Sequence, residues 1–198
     1  VVKLHCEPNG HFPHNPEPLK KHLEDLSKEV VAQQADFGIA VDPDVDRLVF
    51  MDERGTLFGE EYTLVACADY VLKKTPGPTV SNLSSTRALA EISQRYQQSY
   101  FASAVGEVNV VEVMKKSNAV IGGEGNGGVI YPDLHYGRDA LVGIVLFLSL
   151  LVEKKCTVSQ LKEQYPAFYM EKTKVNLPKD IKIDVLMNQM AQLYAKEQ

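Results

Sequence analysis

The sequence predicts an α/β fold, and three observations predict it. Apolar runs of strand length alternate with stretches of helical periodicity along most of the 198 residues. Clusters of Gly, Pro and Asp separate them, the sharpest being Lys73-Lys74-Thr75-Pro76-Gly77-Pro78. The longest apolar stretch, Ala140 to Val152, is too short to span a bilayer, is interrupted by Gly143 and Ser149, and reads as one buried helix.

The elements follow in order. Pro8, Pro13, Pro16 and Pro18 make a rigid extended entry that cannot be helix interior. Leu19, Leu23, Leu26, Val30 and Val31 then repeat at helical spacing. Phe37 to Val41 is a continuous apolar run, read as a strand covered on both sides. An acidic loop leads to a second strand, Leu48 to Met51, and Arg54-Gly55 turns it into a third, Thr56 to Phe58. Glu60 and Glu61 suit a helix N-terminus, and Leu64, Val65, Ala68, Val71 and Leu72 give that helix its apolar face. After the Pro-Gly break, strands are expected at Thr79–Leu83, Ser99–Ala102, Ala119–Ile121 and Val129–Tyr131. Helices are expected at Thr86–Tyr96 and Val108–Lys116 and from Arg138 onward. A short helix from Thr157 stops at Pro166, after Tyr165. Tyr169–Leu177 reads as a strand and Ile183–Ala195 as an amphipathic helix.

Composition narrows the function. A net charge of −5 with no basic run argues against nucleic acid as a main partner. Cys6, Cys67 and Cys156 are far apart and form no C-x-x-C pair, which predicts a reducing, cytoplasmic setting. No signal peptide opens the chain and nothing in it predicts a membrane partner. The missing initiator Met and the charged, helix-like last residues read as a segment excised from a longer chain.

Asp42-Pro43-Asp44-Val45-Asp46-Arg47, directly after the first strand, is the most informative segment. Three carboxylates at alternate positions on one loop can converge on a hard cation. Oxygen-only donors favour Mg²⁺ or Ca²⁺ over zinc. Several readings compete. Asp42, Asp44, Asp46 and Glu53 fall at EF-hand positions, but the required glycine is Arg47 and the flanks read as strands. Asp42-x-Asp44 after a strand also fits the aspartyl-phosphate nucleophile of haloacid-dehalogenase-like phosphatases, though Pro43 and a third Asp are unusual there. A phosphotransferase metal loop uses all three. A plain solvated acidic turn is the remaining option, weakened because like charges crowded at a strand end repel.

The second segment is Gly122-Gly123-Glu124-Gly125-Asn126-Gly127-Gly128. It contains G-x-G-x-x-G, but a strand follows it rather than a helix, so the dinucleotide reading fails. The glycines let backbone approach a ligand and aim Glu124 and Asn126 outward, where a carboxylate and an amide suit paired sugar hydroxyls. A plain hairpin turn is the alternative, given Asn126-Gly127. His5, Cys6, His11 and His14 match no structural zinc pattern. Asp139 suits the N-terminus of the long helix, and Arg138 is a candidate to face a phosphate.

With these residues in view the chain resembles the α-D-phosphohexomutase superfamily. Four segments carry the resemblance, in family order: Phe12-Pro13-His14-Asn15-Pro16-Glu17-Pro18; Ala35 to Ala40 leading into Asp42–Arg47; Val105-Gly106-Glu107-Val108-Asn109-Val110; and Gly122–Gly128 followed by Gly137-Arg138-Asp139-Ala140-Leu141. The similarity weakens after about residue 168. It implies two mixed-sheet α/β units, the first truncated: residues 1–58 as the end of domain 2, 59–168 as domain 3, and 169–198 as a linker toward domain 4.

The resemblance also implies an enzyme interconverting hexose 1-phosphate and hexose 6-phosphate through a phosphoserine and a bisphosphorylated sugar. Asp42, Asp44 and Asp46 match the Mg²⁺ ligands, and Arg47 the cation beside the transferred phosphoryl group. Glu124 and Asn126 match the sugar-recognition loop, usually Glu-x-Ser-Gly-His. Here Asn126 replaces the Ser, as in phosphoglucosamine mutases, and Gly128 replaces the His, so no role for that histidine transfers. The serine loop and the Arg-x-Ser-Gly-Thr phosphate loop are not present, so the nucleophile and domains 1 and 4 are expected elsewhere on the same polypeptide and the 198 residues alone are expected to be inactive. The rival functions are a non-catalytic Ca²⁺- or Mg²⁺-binding module and an aspartyl phosphatase.

Overall fold

Leu48-Val49-Phe50-Met51 is the most completely buried strand of the N-terminal unit, and its neighbours are arranged around it. The structure, a computed structural model, describes residues 1–170, 175–178 and 181–195. Residues 1–18 form no helix or strand, as their prolines require. A 3₁₀ turn at Lys20–His22 leads into α1, Glu24–Ala32. β1, Gly38–Val41, then pairs antiparallel with β2, Leu48–Met51, so the acidic loop is the hairpin connection between them.

Two expectations need correction here. β1 is not covered on both sides: only Gly38 is buried, Ile39 and Ala40 are half-buried, and Val41 is 41% exposed. Its apolar content marked it as a strand but could not show that, among the described residues, it pairs only with β2. The third strand is reduced to a single bridge, Met51 with Leu57. The cause is Asp52, whose Oδ1 accepts from Arg54 N at 3.0 Å and Thr56 N at 2.7 Å, closing a tight turn just before the chain enters the next helix.

That helix, α2 (Glu60–Lys74), organises the second unit. The expected apolar face is buried, and so are Thr63, Ala66, Cys67 and Asp69, because elements pack around most of its circumference. Asp69 tolerates burial because it accepts from Tyr96 Oη at 2.7 Å and Tyr165 Oη at 2.9 Å and pairs with Lys154 Nζ at 2.9 Å.

β3 (Thr79–Asn82), β4 (Tyr100–Ser103), β5 (Ile121–Glu124) and β6 (Gly128–Ile130) form a mixed sheet of order β4-β3-β5-β6, with β3 parallel to β4 and β5, and β6 antiparallel to β5. The period-2 alternation of strands splits its side chains between two layers. Val80 and Ile130 join Val110 and Met114 of α4 (Glu107–Ser117). Ile121 and Val129 face the main core, with α2, α3 (Ala88–Arg95) and α5 (Ala140–Lys154). At its centre Phe147 stacks on Phe50 at 3.7 Å and meets Phe58 edge-on at 5.1 Å, joining the two units.

α6 (Val158–Lys162) opens with a capping box from Thr157 and Gln160. α7 (Ile183–Leu193) buries none of its residues. The expected strand at Tyr169–Leu177 lies partly outside the described residues, and no strand forms at 169–170 or 175–177. No helix among the described residues is long and apolar enough to cross a membrane.

Candidate metal centre and adjoining cavity

Asp42 starts the acidic loop and folds it back on itself. Its Oδ1 accepts from the backbone N–H of Asp46 at 3.1 Å and of Arg47 at 2.9 Å. Its carbonyl accepts from Val45 N at 3.0 Å. Val45 takes φ +58°, a left-handed conformation that is uncommon for a β-branched residue and costs on the order of 1–3 kcal/mol. What holds it there is α5: Ala140 N donates to the Val45 carbonyl at 3.0 Å.

The kink brings Asp42, Asp44 and Asp46 together, each with a carboxylate oxygen within 4.8 Å of the others. Among the described residues it is the one such convergence of three His, Cys, Asp or Glu side chains. Asp42 is 4% exposed and Asp44 is open to solvent. Two of the oxygens, Asp42 Oδ2 and Asp46 Oδ1, are buried without a hydrogen-bond partner. Arg47 Nε lies 2.8 Å from Asp42 Oδ2, yet neither atom has an aligned hydrogen bond, so we read this contact as an ion pair. Burial, with the charges of Asp42 and Asp44, pushes the Asp46 carboxyl up to about 6 against the opposing pull of Arg138. A divalent cation suits such a set: oxygen donors, three carboxylates against the partial offset of Arg47 and Arg138, and two buried oxygens without a hydrogen bond.

The geometry also weighs on the alternatives. Glu53, the twelfth position of the EF-hand reading, turns away to Ser159, accepting from its N at 3.3 Å and from its hydroxyl. Asp42, the candidate phosphatase nucleophile, is buried with one oxygen committed to two N–H donors.

The glycine-rich segment is a hairpin, β5 to β6 through the turn Gly125-Asn126-Gly127. Gly127 has φ +95°, and a Cβ there would lie 2.5 Å from the Leu48 carbonyl oxygen, so only glycine fits. Its own carbonyl accepts from Leu48 N at 3.0 Å, which seats the turn one residue past Arg47. Asn126 and Gly125 then line a cavity of about 590 Å³ together with Arg47, Glu61, Thr86 and Lys162.

The expectation that the turn aims Glu124 outward is corrected. Glu124 is 5% exposed and accepts from Asn82 Nδ2 at 2.6 Å, Gly106 N at 3.3 Å and Arg138 Nη1 at 2.8 Å. It ends β5, an inner strand of the sheet, where these donors surround it. Arg138 is likewise turned to carboxylates rather than to the cavity. Asp139 is the N-cap of α5, accepting from Leu141 N at 2.8 Å and Val142 N at 3.0 Å.

Sequence reasoning missed Lys162 and Glu107. Lys162 donates to the Phe58 carbonyl and lies 3.0 Å from the centre of the Tyr62 ring. Burial lowers it to about 8. Nothing in the local sequence of α6 distinguishes it from a surface lysine. Glu107 had a signal, since Gly106-Glu107 lies in one of the four segments that carry the family resemblance.

Residues 59–169 match the family described as phosphoglucomutase/phosphomannomutase, alpha/beta/alpha domain III, and residues 1–55 match its domain II. The chain belongs to the phosphoglucomutase/phosphomannomutase family. Among its relatives is a phosphoglucomutase/phosphomannomutase of Thermococcus kodakarensis, 34% identical over all of this chain and 43% of its own length. Another is a probable phosphoglucosamine mutase of Methanopyrus kandleri, 33% identical over 94% of this chain and 42% of its own length. The chain thus spans about two fifths of the curated relatives it matches. Of solved structures, a phosphoglucomutase/phosphomannomutase family protein of Burkholderia thailandensis superimposes with a TM-score of 0.75 at 26% identity, covering 84% of this chain and 37% of that one. A putative phosphomannomutase of Thermus thermophilus gives 0.71 at 27% identity, covering 76% and 35%. The mixed sheet and its helices are the fold of these phosphohexomutases, as the motifs implied.

Proposed function

We propose that this chain is the cation-binding and sugar-recognising segment of a phosphohexomutase that interconverts hexose 1-phosphate and hexose 6-phosphate. Residues 1–58 are the end of domain 2, residues 59–168 are domain 3, and residues 169–198 lead toward domain 4. The rest of the same polypeptide supplies the phosphoserine and the second phosphate site. Three free cysteines suit a reducing cytoplasm.

One observation carries the reading: two buried carboxylate oxygens without a hydrogen bond converge beside Arg47 at the edge of the cavity that Asn126 lines. Asp42, Asp44 and Asp46 are the residues that hold Mg²⁺, which when bound neutralises charge on the moving phosphoryl group. Arg47, oriented by its ion pair to Asp42, adds a fixed positive charge on the same side. Asn126 offers the sugar both a donor and an acceptor. Glu124 stands behind it, its Oε2 held by Arg138 Nη1 at 2.8 Å and by Asn126 Nδ2 at 3.4 Å, so it backs the turn rather than facing the cavity.

The test is calorimetric titration of the chain with Mg²⁺ and with Ca²⁺. Mg²⁺ binding that is lost in Asp44→Asn, together with no turnover of glucose 1-phosphate by the 198 residues alone, is the expected result. Asp44 is chosen because it is exposed, so the substitution leaves the fold intact. Ca²⁺ binding without any Mg²⁺ response overturns the mutase reading in favour of a metal-binding module.

A further inference from the structure

A run of contacts joins the glycine-rich turn to the acidic loop through one side chain. Arg138 is 17% exposed and gives each guanidinium nitrogen a different carboxylate. Nη1 donates to Glu124 Oε2 at 2.8 Å, Nε donates to Glu107 Oε2 at 3.1 Å, and Nη2 pairs with Asp46 Oδ2. Its backbone N–H also donates to Glu107 Oε1 at 3.1 Å, so Glu107 holds both ends of the residue. A planar fork of fixed donors suits this task, and a lysine does not.

The carboxylate of Asp46 is divided by this arrangement. Oδ2 belongs to Arg138, while Oδ1, 3.6 Å from Arg47 Nε, is one of the two buried oxygens without a hydrogen bond. Glu124, on the same guanidinium, ends the strand that leads into the Asn126 turn. The acidic loop and the turn therefore share a single cationic strut.

We propose that Arg138 is a positioning residue for the cation site. By holding Asp46 Oδ2 it directs Oδ1 to the convergence with Asp42 and Asp44. By holding Glu124 it makes cation affinity depend on the geometry of the sugar-facing turn, and that dependence is reciprocal. The inference rests on the metal reading above, and the two fail separately.

Charge and positioning predict opposite signs. If Arg138 were only a counter-ion, removing it would leave the trio more negative and tighten a divalent cation. If it positions Asp46, removing it weakens the cation, and outer partners of metal ligands are typically worth about 10- to 100-fold in affinity. The experiment is Mg²⁺ titration by calorimetry of the wild-type chain, Arg138→Gln, Arg138→Lys and Glu107→Gln, each checked for a cooperative thermal transition. Arg138→Gln is expected to weaken Mg²⁺ by about tenfold or more. Arg138→Lys recovers little of this, because one ammonium cannot reach three carboxylates along a plane. Glu107 bonds Arg138 at both its backbone N–H and its Nε, and Glu107→Gln is expected to weaken Mg²⁺ several-fold, by loosening Arg138 and by removing one negative charge. If Arg138→Gln fails to fold, Arg138→Lys decides the matter, because it keeps the charge and removes the planar fork. Wild-type or tighter Mg²⁺ affinity in the folded variants overturns the positioning role. A wild-type chain that takes up no Mg²⁺ overturns the metal assignment instead.

Discussion

Replacing Gly127 by Ala tests how the glycine-rich turn is fastened to the acidic loop. At φ +95° an alanine suffers backbone strain on the order of 1–3 kcal/mol. Its Cβ would also sit 2.5 Å from the Leu48 carbonyl oxygen and 3.0 Å from Leu48 N. Those are backbone atoms of β2, which is fully buried and cannot shift alone. Opening the contact sacrifices the Leu48 N–H to Gly127 carbonyl hydrogen bond, worth about 1 kcal/mol. Together these give a destabilisation of about 3 kcal/mol. Urea unfolding followed by circular dichroism reads it as a lower midpoint at unchanged slope. Gly10→Ala is the control, with φ +77° but nothing within 4 Å of its Cβ; it carries backbone strain without the clash and should lose less than Gly127→Ala. A loss below about 1 kcal/mol for Gly127→Ala would refute the reasoning, since strain and clash would then both relax without cost.

Two further outcomes concern the core and the cavity. Phe147→Ala removes a side chain that is fully buried between Phe50 and Phe58, and should lower stability by about 3–5 kcal/mol in the same urea assay, whereas Phe147→Leu should lose clearly less. Lys162, lowered by burial from 10.5 to about 8, makes stability rise with pH. Between those values the unfolded chain binds more protons than the folded one, so the contribution is complete above 10.5 and lost as pH falls through 8. Urea midpoints compared between about pH 7.5 and 9.5, below the tyrosine range, should climb in the wild type relative to Lys162→Met, and parallel curves would contradict the burial of this amine.

Much of the fold was legible because hydrophobic period reports element type directly. Leu64, Val65, Ala68, Val71 and Leu72 named α2, and Val80 and Ile121 marked strands that the sheet confirms. What periodicity cannot report is company. Phe37–Val41 reads the same whether one face or two are covered, and only pairing with β2 alone leaves Val41 exposed. The third strand failed for a local reason, because Asp52 uses its side chain where a ladder would use backbone. At the site, alternate aspartates on a loop were enough to find the convergence. The direction of Glu124 was not legible, since Asn82, Gly106 and Arg138 approach it from distant parts of the sequence.

Two main-chain hydrogen bonds, Leu48 N to the Gly127 carbonyl and Ala140 N to the Val45 carbonyl, cross between the acidic hairpin and the second sheet unit on either side of Arg47. They make the acidic loop and the glycine-rich turn a single jaw. A ligand lying between them cannot be gripped by one closing on the other. Any opening at this edge must swing the jaw as a whole.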